Sequence, residues 1–219
     1  APICWGQVGA YAYLVLEFLD LHPTRTDAFF VTLGHNLAAL HHFTGPYFGW
    51  RRDNTIGSTP QLNAPHSSWV SFWRRQRLGY QLDLASLKGY TGNLQQRGET
   101  LLCELGAFFP GHEPKASFLH GDLWSGNIAR DARNNAVIFD PAVYYGDRET
   151  DIAMTELFGG FERGFYAAYE EAYPLPKEYG IRRTLYNLYH ILNHLNLFGG
   201  YYLVQAEHTI DLLLAELRC

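Results

Sequence analysis

The sequence predicts an α+β fold that is mainly α-helical. Three observations lead there. Apolar residues recur at spacings of three and four over long segments, most clearly Phe30, Leu33, Leu37 and Leu40. Strand-like stretches are short and confined to the start and the middle of the chain. The 219 residues are 47% hydrophobic and 18% charged, so a packed core can form and wholesale disorder is excluded.

In chain order, Ile3 to Trp5, then Gly6-Gln-Val-Gly9, then Tyr11 to Phe18 read as strand, turn and strand. A lone hairpin is marginal in water, so these strands need partners the chain does not obviously supply. A helix follows, capped by Thr24 or Thr26 and ending near His41–His42. Residues 43–66 lack a clean period but contain Phe48, Trp50 and Ile56, which predicts an ordered, functional loop. Helices are expected from Ser67 or Ser68 onward, carrying Trp69, Phe72 and Trp73, and from Gly89 to Phe108. Ser117–His120 is a short apolar stretch. Residues 127–130 and 136–139 flank Asn134-Asn135, which suits a tight hairpin turn. Helical patterns return over 149–158, 161–172, 178–198 and 206–217. With 15 Tyr, 14 Phe and 5 Trp, these helices should pack through rings.

Composition also bounds the partners. A net charge of -5 gives no basic footprint for nucleic acid. No run approaches the ~20 apolar residues of a membrane span, and no basic-then-apolar leader opens the chain. Cys4, Cys103 and Cys219 are odd in number and at no metal-ligand spacing; they read as free thiols of a reducing compartment, which predicts a cytoplasmic protein. The chain begins at Ala1, and its one methionine is Met154. Removal of an initiator methionine or a start inside a longer protein would each account for that.

The chemistry-bearing segment is His120-Gly-Asp-Leu-Trp-Ser-Gly-Asn127, followed by Val137-Ile-Phe-Asp140-Pro. Phosphoryl transfer from ATP needs a carboxylate to take the proton of the attacking hydroxyl. It also needs an amide oxygen and a second carboxylate to hold Mg²⁺ against the phosphates. Asp-x4-Asn is the spacing of a kinase catalytic loop, and the second acid lies one hairpin away. Asp122 is then the base and Asn127 and Asp140 the metal ligands, with His120 bracing the loop on the substrate side. The competing reading is that Asp122 and Asn127 merely cap turns; the joint pattern is the more specific one.

These residues resemble the fructosamine kinases, a branch of the protein-kinase-like superfamily. The likeness covers nearly the whole chain. It rests on 120–127, on Phe139-Asp-Pro-Ala-Val-Tyr-Tyr-Gly-Asp-Arg-Glu-Thr-Asp-Ile-Ala-Met154, on Leu157-Phe-Gly-Gly-Phe161, on Asp53 to Gln61 with Asn63, and on Trp69 to Leu78. The Leu-Trp-Ser-Gly filling is its most discriminating part. The resemblance implies ATP-dependent phosphorylation of a ketosamine, free or on a glycated protein, at the sugar 3-hydroxyl, with deglycation as the outcome. It implies that Trp124 walls the substrate, that backbone groups of Glu17, Phe18 and Leu19 form the adenine hinge, and that Asp151 braces the catalytic loop. Read without the likeness, Trp124, two residues after the base, offers a flat apolar face at the mouth of the site with a buried loop anchor as the alternative, 13–20 is a buried strand, and Glu149 and Asp151 are acids favoured by a helix dipole.

Other candidates are weaker. His190 and His194, four apart on a helix, lack a third ligand and read as packing or surface residues. His41-His42 suits a helix end. Arg74, Arg75 and Arg77 read as a solvated helix face, and no Gly-x-Ser-x-Gly is present.

A kinase of this type also needs a glycine-rich loop and a strand lysine ahead of the hinge. Gly6-Gln-Val-Gly9 does not supply the first, and Lys88, Lys115 and Lys177 all follow the hinge. The expected organisation is a remnant N-lobe hairpin and hinge in 1–20 and a helical, kinase-like C-terminal lobe in 21–219. Two alternatives to a working kinase stand beside it: a ketosamine-binding, pseudokinase-like module, and an aminoglycoside- or choline-type kinase. The unpaired strand edge also makes self-association through the hairpin a candidate.

Overall fold

In the computed structural model, which describes residues 1–23 and 25–217, Thr26 caps the first helix, α1 (Asp27–His41), by accepting from Phe29 N at 3.3 Å. Thr24, the other candidate cap, and Cys219 lie outside the described residues. The 3–4 spacing read from the sequence turns Phe30, Leu33 and Leu37 inward against α6 (Arg163–Ala172). The two helices touch at Gly34, where a Cβ would stand 2.4 Å from the Phe165 carbonyl. Phe165, Tyr169, Leu123, Ile128 and Ile152 complete this smaller core.

The larger core is built by the remaining helices. Ser68 caps α2 (Trp69–Phe72), which runs through a π-helical turn (Trp73–Leu78) into α3 (Gly79–Leu87). Against this rod pack α4 (Asn93–Glu104), α7 (Tyr179–Phe198) and α8 (Tyr201–Glu216). Rings do much of the packing: Trp69, Trp73 and Tyr186 lie edge-on or tilted to one another, and the Trp69 indole N–H donates to Tyr186 Oη at 3.0 Å. Helix α4 starts later than its periodicity suggests because Gly89 and Gly92 both take positive φ, and it tightens to a 3₁₀ turn over Leu105–Phe108. Helix α8 starts earlier, directly after Gly199–Gly200.

The strands form four antiparallel pairs: β1 (Pro2–Val8) with β2 (Tyr11–Leu16), β3 (Asn54–Ile56) with β4 (Thr59–Gln61), β5 (Ser117–Leu119) with β8 (Tyr144–Gly146), and β6 (Ile128–Arg130) with β7 (Ala136–Ile138). The first hairpin turns at Gly9–Ala10, with Gly9 at φ 59°, rather than over 6–9; Gly6 to Val8 belong to the strand. The 13–20 segment is exposed throughout, not buried. Between β6 and β7 the connection is the wider loop 131–135, held by Asp131 Oδ1 accepting from Arg133 N and Asn135 N, both at 2.8 Å. The chain returns from the first hairpin through His22, which pairs with Arg130 on β6. Among the described residues no helix is long and apolar enough to cross a membrane.

The chemistry-bearing loop crosses the seam between the two cores. Leu119 belongs to the larger, Leu123 and Ile128 to the smaller. Helix α5 (Glu149–Leu157) spans the same seam, giving Ile152 to one and Ala153 to the other.

The arginine-rich stretch corrects the sequence reading. Arg77 is fully buried, and only Arg75 of the three is exposed. The Arg77 guanidinium donates to Leu62 O at 2.6 Å and Asn63 Oδ1 at 2.9 Å, and stacks 4.0 Å from the Tyr144 ring centroid. The π-helical turn supplies the extra residue that rotates it inward. Loop 43–66 is thereby ordered around a buried cation. Replacing Arg77 with Met should lower unfolding free energy by about 3 kcal/mol, because buried carbonyls lose a charged donor. Urea denaturation measures this, and a loss below about 1 kcal/mol would contradict the assignment of Arg77 as the loop's anchor.

Candidate active site

The loop from His120 to Asn127 is fixed by one buried carboxylate. Asp151, in the first turn of α5, accepts from His120 N through Oδ2 and from Gly121 N through Oδ1, both at 2.8 Å. Its Oδ2 also meets His41 Nε2 at 3.2 Å. Behind His41 stands Tyr169, whose hydroxyl lies 2.7 Å from Nδ1 and accepts from Arg148 Nη1 at 3.0 Å. A carboxylate can only accept, so the imidazole presents Nε2–H to Asp151. Burial alone would raise the Asp151 pKa; the bond from His41, the nearby imidazoles and the Gly121 N–H outweigh it and hold the pKa below its ordinary value.

Gly121 is needed where it is. Its φ is 82°, and a Cβ would stand 2.1 Å from Ala142 O. The loop is tied to the segment between β7 and β8 by His120 Nε2 donating to Phe139 O at 2.9 Å and by Ala142 N donating to His120 O at 2.8 Å. The second His120 nitrogen, Nδ1, accepts from Asp122 N at 3.3 Å. Both bonds require the neutral Nε2–H ring, and burial lowers the His120 pKa accordingly.

Asp122 and Asn127 face one another. Asn127 Nδ2 donates to Asp122 O at 2.8 Å and to Asp122 Oδ2 at 3.2 Å. With the amide nitrogen so committed, the Asn127 oxygen is the atom it offers a cation. The Asp122 pKa is raised to about 6, chiefly by burial; the Asn127 bond opposes this, and the charges of Asp151 and Asp140 add to it. Asp140 is exposed and stands at φ 52°, the left-handed region that L-residues seldom occupy. Its neighbours are held from the side by the β3–β4 hairpin. Asn54 Nδ2 donates to Val143 O at 2.8 Å, and Gln61 Nε2 to Ala142 O at 3.0 Å and to Asn54 Oδ1 at 2.9 Å. The amide oxygen of Asn127 and the carboxylate of Asp140 are hard oxygen donors of the kind that suits a divalent cation such as Mg²⁺.

Asp122 and Trp124 open onto a cleft of about 330 Å³. Its opposite wall is α7, through His190, Asn193 and His194, and Phe158 closes one side. The indole of Trp124 folds over Gly126, where a Cβ would come within 2.3 Å of the ring, and lies edge-on to Phe158 at 6.3 Å. His190 is buried, and burial with the neighbouring His194 brings its pKa down to about 3. The two histidines therefore line this cleft as neutral rings; they are not surface residues.

The hinge candidates stand apart. Glu17 meets the N-terminal ammonium at 3.1 Å, Phe18 is 89% exposed, and no hydrogen bond joins Glu17, Phe18 or Leu19 to the acid loop among the described residues. The strand before them pairs with β1 alone among the described residues, and beyond it Arg25 reaches the loop, donating to Ser125 O at 2.5 Å and to Ile128 O at 3.0 Å. Glu149, read as a dipole acid, is spent on a bidentate bond to buried Arg182 at 2.8 and 2.9 Å.

The family model for fructosamine kinases matches residues 1–216. A "Probable ketoamine kinase" of Synechocystis is 47% identical over 210 residues, covering 95% of this chain and 70% of that protein. The chloroplastic protein-ribulosamine 3-kinase of Arabidopsis thaliana is 44% identical over 209 residues, covering 94% of this chain and 63% of that protein. A crystal structure from Haemophilus somnus, described as a "Putative fructosamine-3-kinase", superposes with a TM-score of 0.87 at 30% identity, over 97% of this chain and 72% of that one. One from Thermobifida fusca, described likewise, gives 0.85 at 33%, over 92% and 70%. Sequence and fold agree, and the chain belongs to the fructosamine kinase family, with the mainly helical α+β pattern read from its sequence and the kinase-like architecture that the resemblance implies.

Proposed function

We propose that this chain phosphorylates ketosamines at the sugar 3-hydroxyl with ATP as donor, so that the phosphorylated adduct leaves the amine and a glycated protein is restored. The observation that carries the reading is the place of Asp122, half-buried and bonded to Asn127 on the wall of a sugar-sized cleft beside Trp124, where burial raises its pKa to about 6. A general base works best with a pKa near the operating pH. Asp122 takes the proton of the attacking hydroxyl, and Asn127 keeps the carboxylate aimed. Asn127 through its oxygen and Asp140 through its carboxylate hold Mg²⁺. The bound ion and nucleotide supply the transferring phosphoryl group and neutralise its charge. Trp124 gives the substrate a flat apolar wall, and His120 and Asp151 keep the loop from drifting. Backbone groups of Glu17 to Leu19 receive the adenine.

A second reading, ketosamine binding without turnover by these 219 residues alone, is favoured by one observation. None of Lys88, Lys115 and Lys177 lies in a strand, and the Lys88 ammonium donates to Asn196 O. Binding of fructosyl-lysine with no ATP consumption would select it.

Asp122→Asn should lower kcat about 10³-fold while the KM for fructosyl-lysine moves less than about threefold. Equal turnover in the two proteins would remove Asp122 as base. In the parent protein, kcat/KM should be flat above pH 6 and fall about tenfold per pH unit below it, since only the deprotonated carboxylate accepts a proton. A profile unchanged down to pH 4.5 would count against the assignment. Asp151→Asn should cost about 3 kcal/mol of stability, because an amide NH₂ would face a backbone N–H. It should also depress kcat; full activity would show that the loop holds itself.

A further inference from the structure

The Trp124 wall does not end at the cleft. Ring follows ring from the catalytic loop to the surface: Trp124 to Phe158 at 6.3 Å, Phe158 to His194 at 5.1 Å, His194 to Tyr202 at 5.1 Å and to Phe198 at 5.5 Å, and Tyr202 to Tyr201 at 6.5 Å. At the outer end Phe198 is 69%, Tyr201 77% and Val204 64% exposed, on the corner where α7 turns into α8 through Gly199–Gly200. From His194 to Ala206 the sequence carries no Asp, Glu, Lys or Arg. An apolar, uncharged track so continuous with the cleft is not ordinary surface, where exposed apolar residues are scattered singly.

We propose that this track is the docking surface for the polypeptide that carries the ketosamine, and that it favours apolar or aromatic residues flanking the modified lysine. The inference rests on the proposed ketosamine kinase reading. The cleft of about 330 Å³ has room for the sugar and the start of its amine, and the rest of a protein substrate must leave it across its rim. On one side that rim is Phe158 and Phe198, and beyond it lie Tyr201 and Val204. Uncharged rings offer contact area at little entropic cost and no ion-pair selectivity. Apolar flanks therefore gain by covering them, whereas acidic or basic flanks lose water without finding a partner.

The test compares three ligands: free fructosyl-lysine, a peptide with one central fructosyl-lysine flanked by Phe and Leu, and the same peptide flanked by Ser and Asp. Calorimetry should show the apolar-flanked peptide binding about tenfold tighter than free fructosyl-lysine, the gain of one covered aromatic side chain. The Ser/Asp peptide should show no such gain. The double variant Tyr201→Ser, Val204→Ser should erase the advantage and leave free fructosyl-lysine within about twofold of the parent. An advantage that survives the double variant, or an equal loss for all three ligands, overturns the track. A parent dimer in light scattering that dissociates in the double variant gives the face to a second copy and overturns it as well. If the parent protein binds none of the three, the ketosamine reading itself falls, and the track with it. If it binds free fructosyl-lysine normally, failure is confined to the track.

Discussion

One buried carboxylate, Asp151, organises the site. Its two oxygens receive two consecutive backbone N–H groups of the catalytic loop and an imidazole N–H from α1. Charge-assisted bonds of this kind are the strong ones, and they are stronger where water is excluded. They also join three parts distant in sequence: α1 through His41, the 120–127 loop, and α5. The carboxylate in turn depends on its own support. Asp147 accepts from Glu149 N at 3.1 Å and from Tyr186 Oη at 2.6 Å, and Glu149 pairs with Arg182, so the start of α5 is pinned to α7. A helix end that is both buried and fully bonded cannot shift without breaking several of these at once.

Asp151 and Asp122 show how the same side chain is tuned both ways within one site. Both are largely withdrawn from water. Asp151 is given donors on every side and stays charged, whereas Asp122 has one amide donor and two other carboxylates in its field, and its pKa rises to about 6. A difference in partners, not in burial, separates a scaffold acid from one that can exchange a proton near neutral pH. Burial also acts on His190 across the cleft: withdrawn from water, with a like neighbour in His194, it is kept uncharged, whereas Asp122 can still ionise near neutral pH.

Much of this was legible in the sequence, for identifiable reasons. The helices α1, α5, α6 and α7 announce themselves because their apolar faces repeat over two or more turns, and the loop 120–127 because its residue types and spacing are chemically unusual. The strands β3, β4 and β8 have three residues each, too short for alternation to register. Arg77 was misjudged because nothing in Arg-Arg-Gln-Arg discloses a π-helical turn that places the third arginine inward. Nothing in the spacing of His190 and His194 discloses that both line the cleft. Their place on the cleft depends on which residues α7 turns toward Asp122, a tertiary fact with no local signal. The Asp53–Gln61 segment drew notice only by resemblance, although Asn and Gln set in a loop this long were themselves a sign of buried amide bonding.

That segment bears on Asp140. An Asp at φ 52° is held against its backbone preference, and a strained residue persists only when its surroundings over-determine it. Asn54 and Gln61 take the carbonyls of Ala142 and Val143, His120 takes that of Phe139, and Ala142 N returns a bond to His120. Four bonds thus bracket Asp140 on both sides while its carboxylate stays in water. The arrangement separates two demands that one residue cannot meet alone. The backbone must be fixed tightly enough to hold an unfavourable conformation, and the side chain must remain free of internal partners to receive a cation. Gln61 is itself held by Tyr189 Oη at 2.9 Å, and Arg77 stacks beside it on Tyr144. The buried arginine that sequence reading assigned to solvent is thus an outer support of Asp140, the exposed acid of the site.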